Sequence, residues 1–317
     1  MNDLPLVMVG GPVRDREWAV PMWAGGIIGQ DYPHERMSLA VLVNDSRDGT
    51  LDACYWWADA ARQAGFWYSN VANRSFGCQV DNNARRHRDF LQFARVRDAW
   101  VAMRLSPPAA ASGSSPERTP LSEPSGLAPE WLLQVDSDVQ LPADTLRRLV
   151  ELATESGARF LAACIQNAWG GPLFAGNVMK HNAFVDGLAH FETFLTDRDP
   201  GVKPCELTGA VALLHRSIFD AGIKYEQPGI DEDTEDGPFC RACVEAGFQP
   251  HYAPSIWATH WMQAPVSTAY LADPEYHQRL ADWHTAEACR LAGLSGEFAE
   301  RTPGSPRSGR QETAHAR

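Results

Sequence analysis

Short apolar runs at residues 4–9, 39–43, 131–135 and 160–165 are separated by longer segments with helical periodicity. Runs of five or six apolar residues are too short for core helices and suit strands buried on both faces. Strands that alternate with helices form one sheet with largely parallel neighbours, because each helix carries the chain back before the next strand begins. Further apolar runs at 210–214 and around 256–259 can complete that sheet. Between the first two strands, "DREWAVPMWAGGIIG" reads as a helix that Pro21 can kink. "TLDACYWWADAARQAG" is a helix closed by Gly65, and a third helical stretch spans 81–103 with Phe90, Phe93, Ala94, Trp100 and Val101 on one side. The predicted class is α/β, a mostly parallel sheet flanked by helices in one domain over residues 1–294.

Two stretches break this alternation. Residues 106–129, "SPPAAASGSSPERTPLSEPSGLAP", have no period and cannot bury a core, so they read as a disordered insertion. They do not divide domains, because the strands on either side belong to one sheet. Residues 295–317, rich in Pro, Ser and Arg, read as a loose tail.

Composition narrows the function classes. A net charge of −12 argues against a general nucleic-acid binder, since phosphate recognition needs a basic surface. No stretch approaches the ~18 apolar residues of a membrane span. "MNDLPLVMVGG" lacks a basic leader and reads as a first strand, not a signal peptide. Seven dispersed cysteines suit reduced thiols better than a disulfide framework, and the expected location is cytoplasmic.

Four constellations can carry chemistry. The first is "QVDSDVQLPADTL", where Asp136 and Asp138 end an apolar strand and a helix follows, with Pro142 near its first turn. Carboxylates there are costly unless a metal ion, a helix N-terminus or solvent meets them. In an open sheet ligands gather at the carboxyl ends of strands, and hard cations take oxygen ligands. The second is the turn after the second strand, "VLVNDSRDGTLDAC". Its acids can accept hydrogen bonds from a ribose or base, while an ordinary turn with Asp48 or Thr50 capping the helix is the plainer account.

The third is the acidic run 231–236 before a helix with apolar Phe239, Cys240, Cys243 and Val244. A helix N-terminus favours one or two acids, and the density of this run makes a general base plausible. Cys240 and Cys243, with His251 and His260 downstream, have a zinc-like spacing, but packing on the apolar side of the helix is the better account. The fourth is "SIWATHWM", an apolar stretch ending in His260, where a structural histidine and a metal ligand are both open.

In order, "WAGGIIGQDYPHERMSLAVLVNDSRDGT", "ARVRDAW", "WLLQVDSDVQLPADTL", "LTGAVALLHRSIFDAG" and "TEDGPFCRACVEAGFQPHYAPSIWATHW" resemble the GT-A glycosyltransferases over about residues 4–262. The family 2-like and mannan-polymerase-like members are the nearest in pattern. That resemblance implies a Rossmann-like GT-A fold and a hexosyltransferase that moves a sugar from a UDP- or GDP-sugar to an acceptor hydroxyl on a glycan, glycolipid or small molecule. It implies Mn²⁺ or Mg²⁺ held by Asp138 and His260, with Asp136 at the metal or ribose. By the same resemblance Asp236 is the general base of an inverting transfer and Glu235 supports it. Arg95 and Arg97 stand in the family's Ala-Arg-Asn segment near the nucleotide, where Asp98 replaces the usual Asn. Asn44, Asp45 and Asp48 stand at the nucleotide-side turn.

Three rivals follow from the same residues. A retaining transfer is compatible with "TEDG". A nucleotidyltransferase also uses paired acids, but "VGGPVRDREW" supplies Arg14 and Arg16 and no lysine. A non-catalytic protein could use the acids for nucleotide or metal binding alone. The aromatic and Gly-rich stretch within 166–205 is expected to face the acceptor.

Overall fold

The computed structural model describes residues 4–77, 90–105, 128–167, 177–179, 199–228 and 235–261. In chain order these form β1 (Val7–Val13), α1 (Val20–Ile28), β2 (Met37–Asn44), α2 (Thr50–Gln63), β3 (Tyr68–Arg74), α3 (Phe90–Ala102), β4 (Trp131–Val135), β5 (Val139–Gln140) and α4 (Thr145–Ser156). They continue with β6 (Phe160–Asn167), β7 (Val178–Met179), β8 (Lys203–Pro204), β9 (Leu207–Thr208), β10 (Val211–His215), α5 (Ser217–Asp220), α6 (Asp236–Glu245) and β11 (Pro250–His260).

The main sheet runs β3-β2-β1-β4-β10-β6-β11-β5, with β8 paired to β11, while β7 and β9 pair separately. Its first four strands are parallel, as expected from their helical connections. Beyond them the sheet is mixed: β10 runs against both β4 and β6, and β11 is again parallel to β6. The strand order reverses between β1 and β4, since the chain builds outward through β2 and β3 and then returns to β1's other side. The carboxyl ends of β1 and β4 therefore flank a crevice of the kind where ligands bind in open sheets.

Side-chain alternation along the strands builds two cores. Val7, Val9, Leu133 and Val135 face α1, α2 and α4, whereas Met8, Leu42, Leu132 and Leu214 face α3, α5 and α6. Each fully buried leucine stabilises the fold by roughly 1.5–3 kcal/mol relative to exposure. Helix α4 buries Leu146, Leu149, Val150 and Ala153, a one-face spacing, and ends at Gly157 in the left-handed region (φ 72°).

Several expectations are refined. The first strand begins at Val7 and not at residue 4, because the run continues through Gly10 and Gly11 to Val13. Pro21 sits in the first turn of α1, where its missing N–H costs nothing, so it does not kink the helix. Pro142 precedes α4 and accepts the N–H of Thr145. Strand β3 went unforeseen; it lies at the sheet edge and carries Ser69, Asn70, Asn73 and Arg74. Cys240 and Cys243 are buried free thiols in the α6 core, whereas Val244 is exposed. Residues 81–89 of the expected third helical stretch, most of the insertion, the acids 231–234, most of the acceptor-facing stretch and the tail 295–317 lie outside the described residues.

Candidate active site

Asp136 follows β4 directly, and its N–H donates to the carbonyl of Ala210 at 2.8 Å. Ala210 holds φ 62°, a left-handed conformation that costs a non-glycine residue energy. The chain turns within the next residues, Val139 N–H donating to the Asp136 carbonyl at 2.9 Å, and enters β5. Because β5 pairs with the end of β11, with His260 opposite Val139, the late histidine arrives beside Asp138. His260 Nε2 lies 3.1 Å from Asp138 Oδ1, and Arg16 from the loop after β1 lies 3.5 Å from Oδ2.

Electrostatics follow from that packing. Burial alone would raise Asp138, but the His260 hydrogen bond and the charges of His260 and Arg16 outweigh it and lower its pKa. For His260, burial opposes protonation, while the Asp138 hydrogen bond and the charges of Asp138 and Asp136 prevail and raise its pKa. Asp136 is raised, chiefly by burial, against the pull of Arg97.

A second group of acids meets the first through Arg97. This buried α3 residue places NH2 3.4 Å from Asp136, 3.0 Å from Glu235 and 3.9 Å from Asp236, with Nε 3.3 Å from Glu235. Its guanidinium also lies over the Tyr225 ring at 5.5 Å, and the Tyr225 hydroxyl donates to Gln134 on β4 at 2.7 Å. Burial would discharge Arg97, but the surrounding carboxylates, Asp236 first, hold its pKa well above its usual value. Asp236 opens α6 with its carboxylate against Gly209, where a β-carbon would collide with it.

The nucleotide-side candidates sit elsewhere. Asn44, Asp45 and Asp48 lie at the carboxyl end of β2, two strands from β4 and so roughly 10 Å away by strand spacing. Asn44 is buried. Asp45, at φ 50°, accepts from the Ser75 hydroxyl at 2.6 Å and from Phe76 N–H at 3.0 Å. Asp48 accepts the N–H groups of Thr50 and Glu17, both at 3.1 Å, so it ties the two loops together and serves the start of α2. Arg47 N–H to Asp15, Gly49 N–H to Glu17 and Arg16 N–H to the Thr50 hydroxyl complete the lacing.

The structure thus gathers Asp136, Asp138, His260, Glu235, Asp236 and Arg97 into one site and leaves Asp45 and Asp48 as loop anchors. Arg95 pairs instead with Glu226, and Asp98 accepts the N–H groups of Tyr225 and Glu226. Sequence reading assigned no role here to Arg16 or Gly209. Both stand in quoted motifs, but their partners lie 122 and 27 positions away.

No protein-family model matches the sequence, and no curated protein matches it. Among solved structures, residues 1–349 of S. aureus TarS in complex with UDP align at 14% identity over 93% of this chain and 71% of that one, with a TM-score of 0.48. The mannosyltransferase PcManGT from Pyrobaculum calidifontis, in complex with GDP-Man and Mn²⁺, aligns at 14% identity over 94% of this chain and 78% of that one, with a TM-score of 0.50. The fold is that of the GT-A glycosyltransferases. No described helix is long and apolar enough to cross a membrane.

The acids are of the oxygen-donor type that hard divalent cations take. Four carboxylates (Asp136, Asp138, Glu235, Asp236) face two guanidinium groups (Arg16, Arg97), which leaves two negative charges while His260 is neutral and one when it is protonated. Among the described residues no three His, Cys, Asp or Glu side chains enclose an ion by themselves. The pair Asp138–His260 is suited to an open site whose remaining positions go to phosphate oxygens and water.

Proposed function

We propose that this protein transfers a sugar from a nucleotide-diphosphate donor, a UDP- or GDP-sugar, to a hydroxyl acceptor with inversion at the anomeric carbon. The observation that carries the reading is one site at the reversal point of the sheet, where the Asp138–His260 pair lies two residues from Asp136 and Arg97 joins Asp136 to Glu235 and Asp236. Asp138 and His260, with Asp136 alongside, would hold Mn²⁺ or Mg²⁺, which offsets the charge of the departing diphosphate when bound. Arg16, beside Asp138, adds fixed positive charge on the same side. The roughly 10 Å between the ends of β2 and β4 suits a nucleoside with its base near Asn44 and its diphosphate near Asp138.

Asp236 takes the proton of the acceptor hydroxyl as that oxygen bonds the anomeric carbon. The bond from that carbon to the donor phosphate oxygen breaks, and its electron pair leaves with the nucleoside diphosphate. The five buried free thiols among the described residues suit the reducing cytoplasm, which we take as its location.

Asp236→Asn tests the base. The variant should bind donor as the wild type does and lose turnover by about 100- to 10,000-fold. NMR of the initial product should show inverted anomeric configuration. Unchanged turnover, or a retained configuration, contradicts the assignment.

A further inference from the structure

The geometry points to Arg97 and Glu235 as a joint positioning pair that sets the place of Asp236, with neither touching donor or acceptor. This deepens the glycosyltransferase reading and rests on it.

Arg97 commits two of its three guanidinium nitrogens to carboxylates, while its NH1 is buried without a hydrogen-bond partner among the described residues. The residue is buried in α3, and its NH2 already lies within ion-pair distance of Asp136, Glu235 and Asp236. A guanidinium at the start of α6 opposes the helix dipole, so helix stability does not account for it. The carboxylates do. Glu235 is the N-cap residue of α6 but makes no side-chain cap bond; its carboxylate turns to Arg97, which meets Oε1 with both Nε (3.3 Å) and NH2 (3.0 Å). This two-point contact fixes the residue immediately before Asp236.

The same helix fixes the chain ahead of that point. Asp98 accepts the N–H groups of Tyr225 at 2.7 Å and Glu226 at 3.0 Å, while Arg95 pairs with Glu226 at 3.2 Å. Residues within one turn of α3 therefore anchor the chain at 225–226 and again at 235. Asp136 meets the same Arg97 nitrogen, so the end of β4 and the start of α6 are referenced to one atom. Displacing a reacting group by about 1 Å can cost on the order of 100-fold in rate.

The test uses the full-length protein as Glu235→Gln, Arg97→Gln, Arg97→Lys and the double Arg97→Gln/Glu235→Gln. Donor affinity is measured by calorimetry, kcat and KM by transfer, and folding by near-UV circular dichroism. Donor Kd should stay within about twofold throughout, while kcat falls about 100-fold in each Gln single variant. The double variant should lose no more than the worse single, because the two residues act as one unit. Arg97→Lys should recover part of the loss, because it keeps the charge without the fork.

Losses that multiply in the double variant overturn the proposal and give Glu235 its own role in chemistry. A donor Kd raised about tenfold or more in Arg97→Gln, with kcat kept, overturns it and makes Arg97 a nucleotide ligand. If Arg97→Gln does not fold, Glu235→Gln and the double variant, in which no charged partner is stranded, decide the matter. Failure of the wild type to transfer sugar from any donor overturns the glycosyltransferase reading as well, and the wild-type data alone show it.

Discussion

At the residue scale, the tightest constraint in the site is a missing methyl group. Asp236 packs against Gly209 so closely that any β-carbon there must push the carboxylate or the backbone aside. Gly209→Ala should therefore lower kcat by about 10- to 100-fold while leaving donor affinity unchanged, as steady-state kinetics and calorimetry would show. Full activity in that variant would mean that Asp236 does not need its observed position. The sequence displayed Gly209 within "LTGAVALLHRSIFDAG" without its reason, because the reason is a carboxylate 27 positions later. Arg97 was hidden in the same way: its arginine was visible, but its partner Glu235 lies 138 residues on. Asp138 and His260 were readable as a pair only through the order of the motifs, not through either residue alone.

At the scale of elements, legibility follows burial. β4 was read at its observed bounds, because a central strand with both faces covered is an unbroken apolar run closed by polar residues. β3 was not, because an edge strand with partly exposed faces carries polar side chains that read as loop. The reversal of β10 could not be read either, since strand direction is set by the connections and not by composition. In the loops after β1 and β2, Asp48 spends its carboxylate on the backbone N–H groups of Thr50 and Glu17. Asp48→Ala should accordingly cost about 1 kcal/mol of stability in urea unfolding, the usual loss of a helix-start acceptor. Its donor affinity should be unchanged; a large loss of affinity with full stability would restore Asp48 to the nucleotide site.

For the whole molecule, the sheet does what separate motifs cannot. It brings residues from the loop after β1, α3, the end of β4, the start of α6 and the end of β11 to one point where the strand order reverses. The result is a local excess of carboxylate on a chain that is acidic overall, with net charge −12. Such a site would repel a bare diphosphate, so donor binding should depend on a cation. That dependence is the most direct test of the central claim. Binding of UDP-, GDP- and dTDP-linked sugars should be measured by calorimetry with Mn²⁺, with Mg²⁺ and with EDTA, for the wild type and Asp138→Ala together. We expect one nucleotide series to bind only with metal and to be lost in the variant. Folded wild type that binds none of them under any of these conditions would contradict the account.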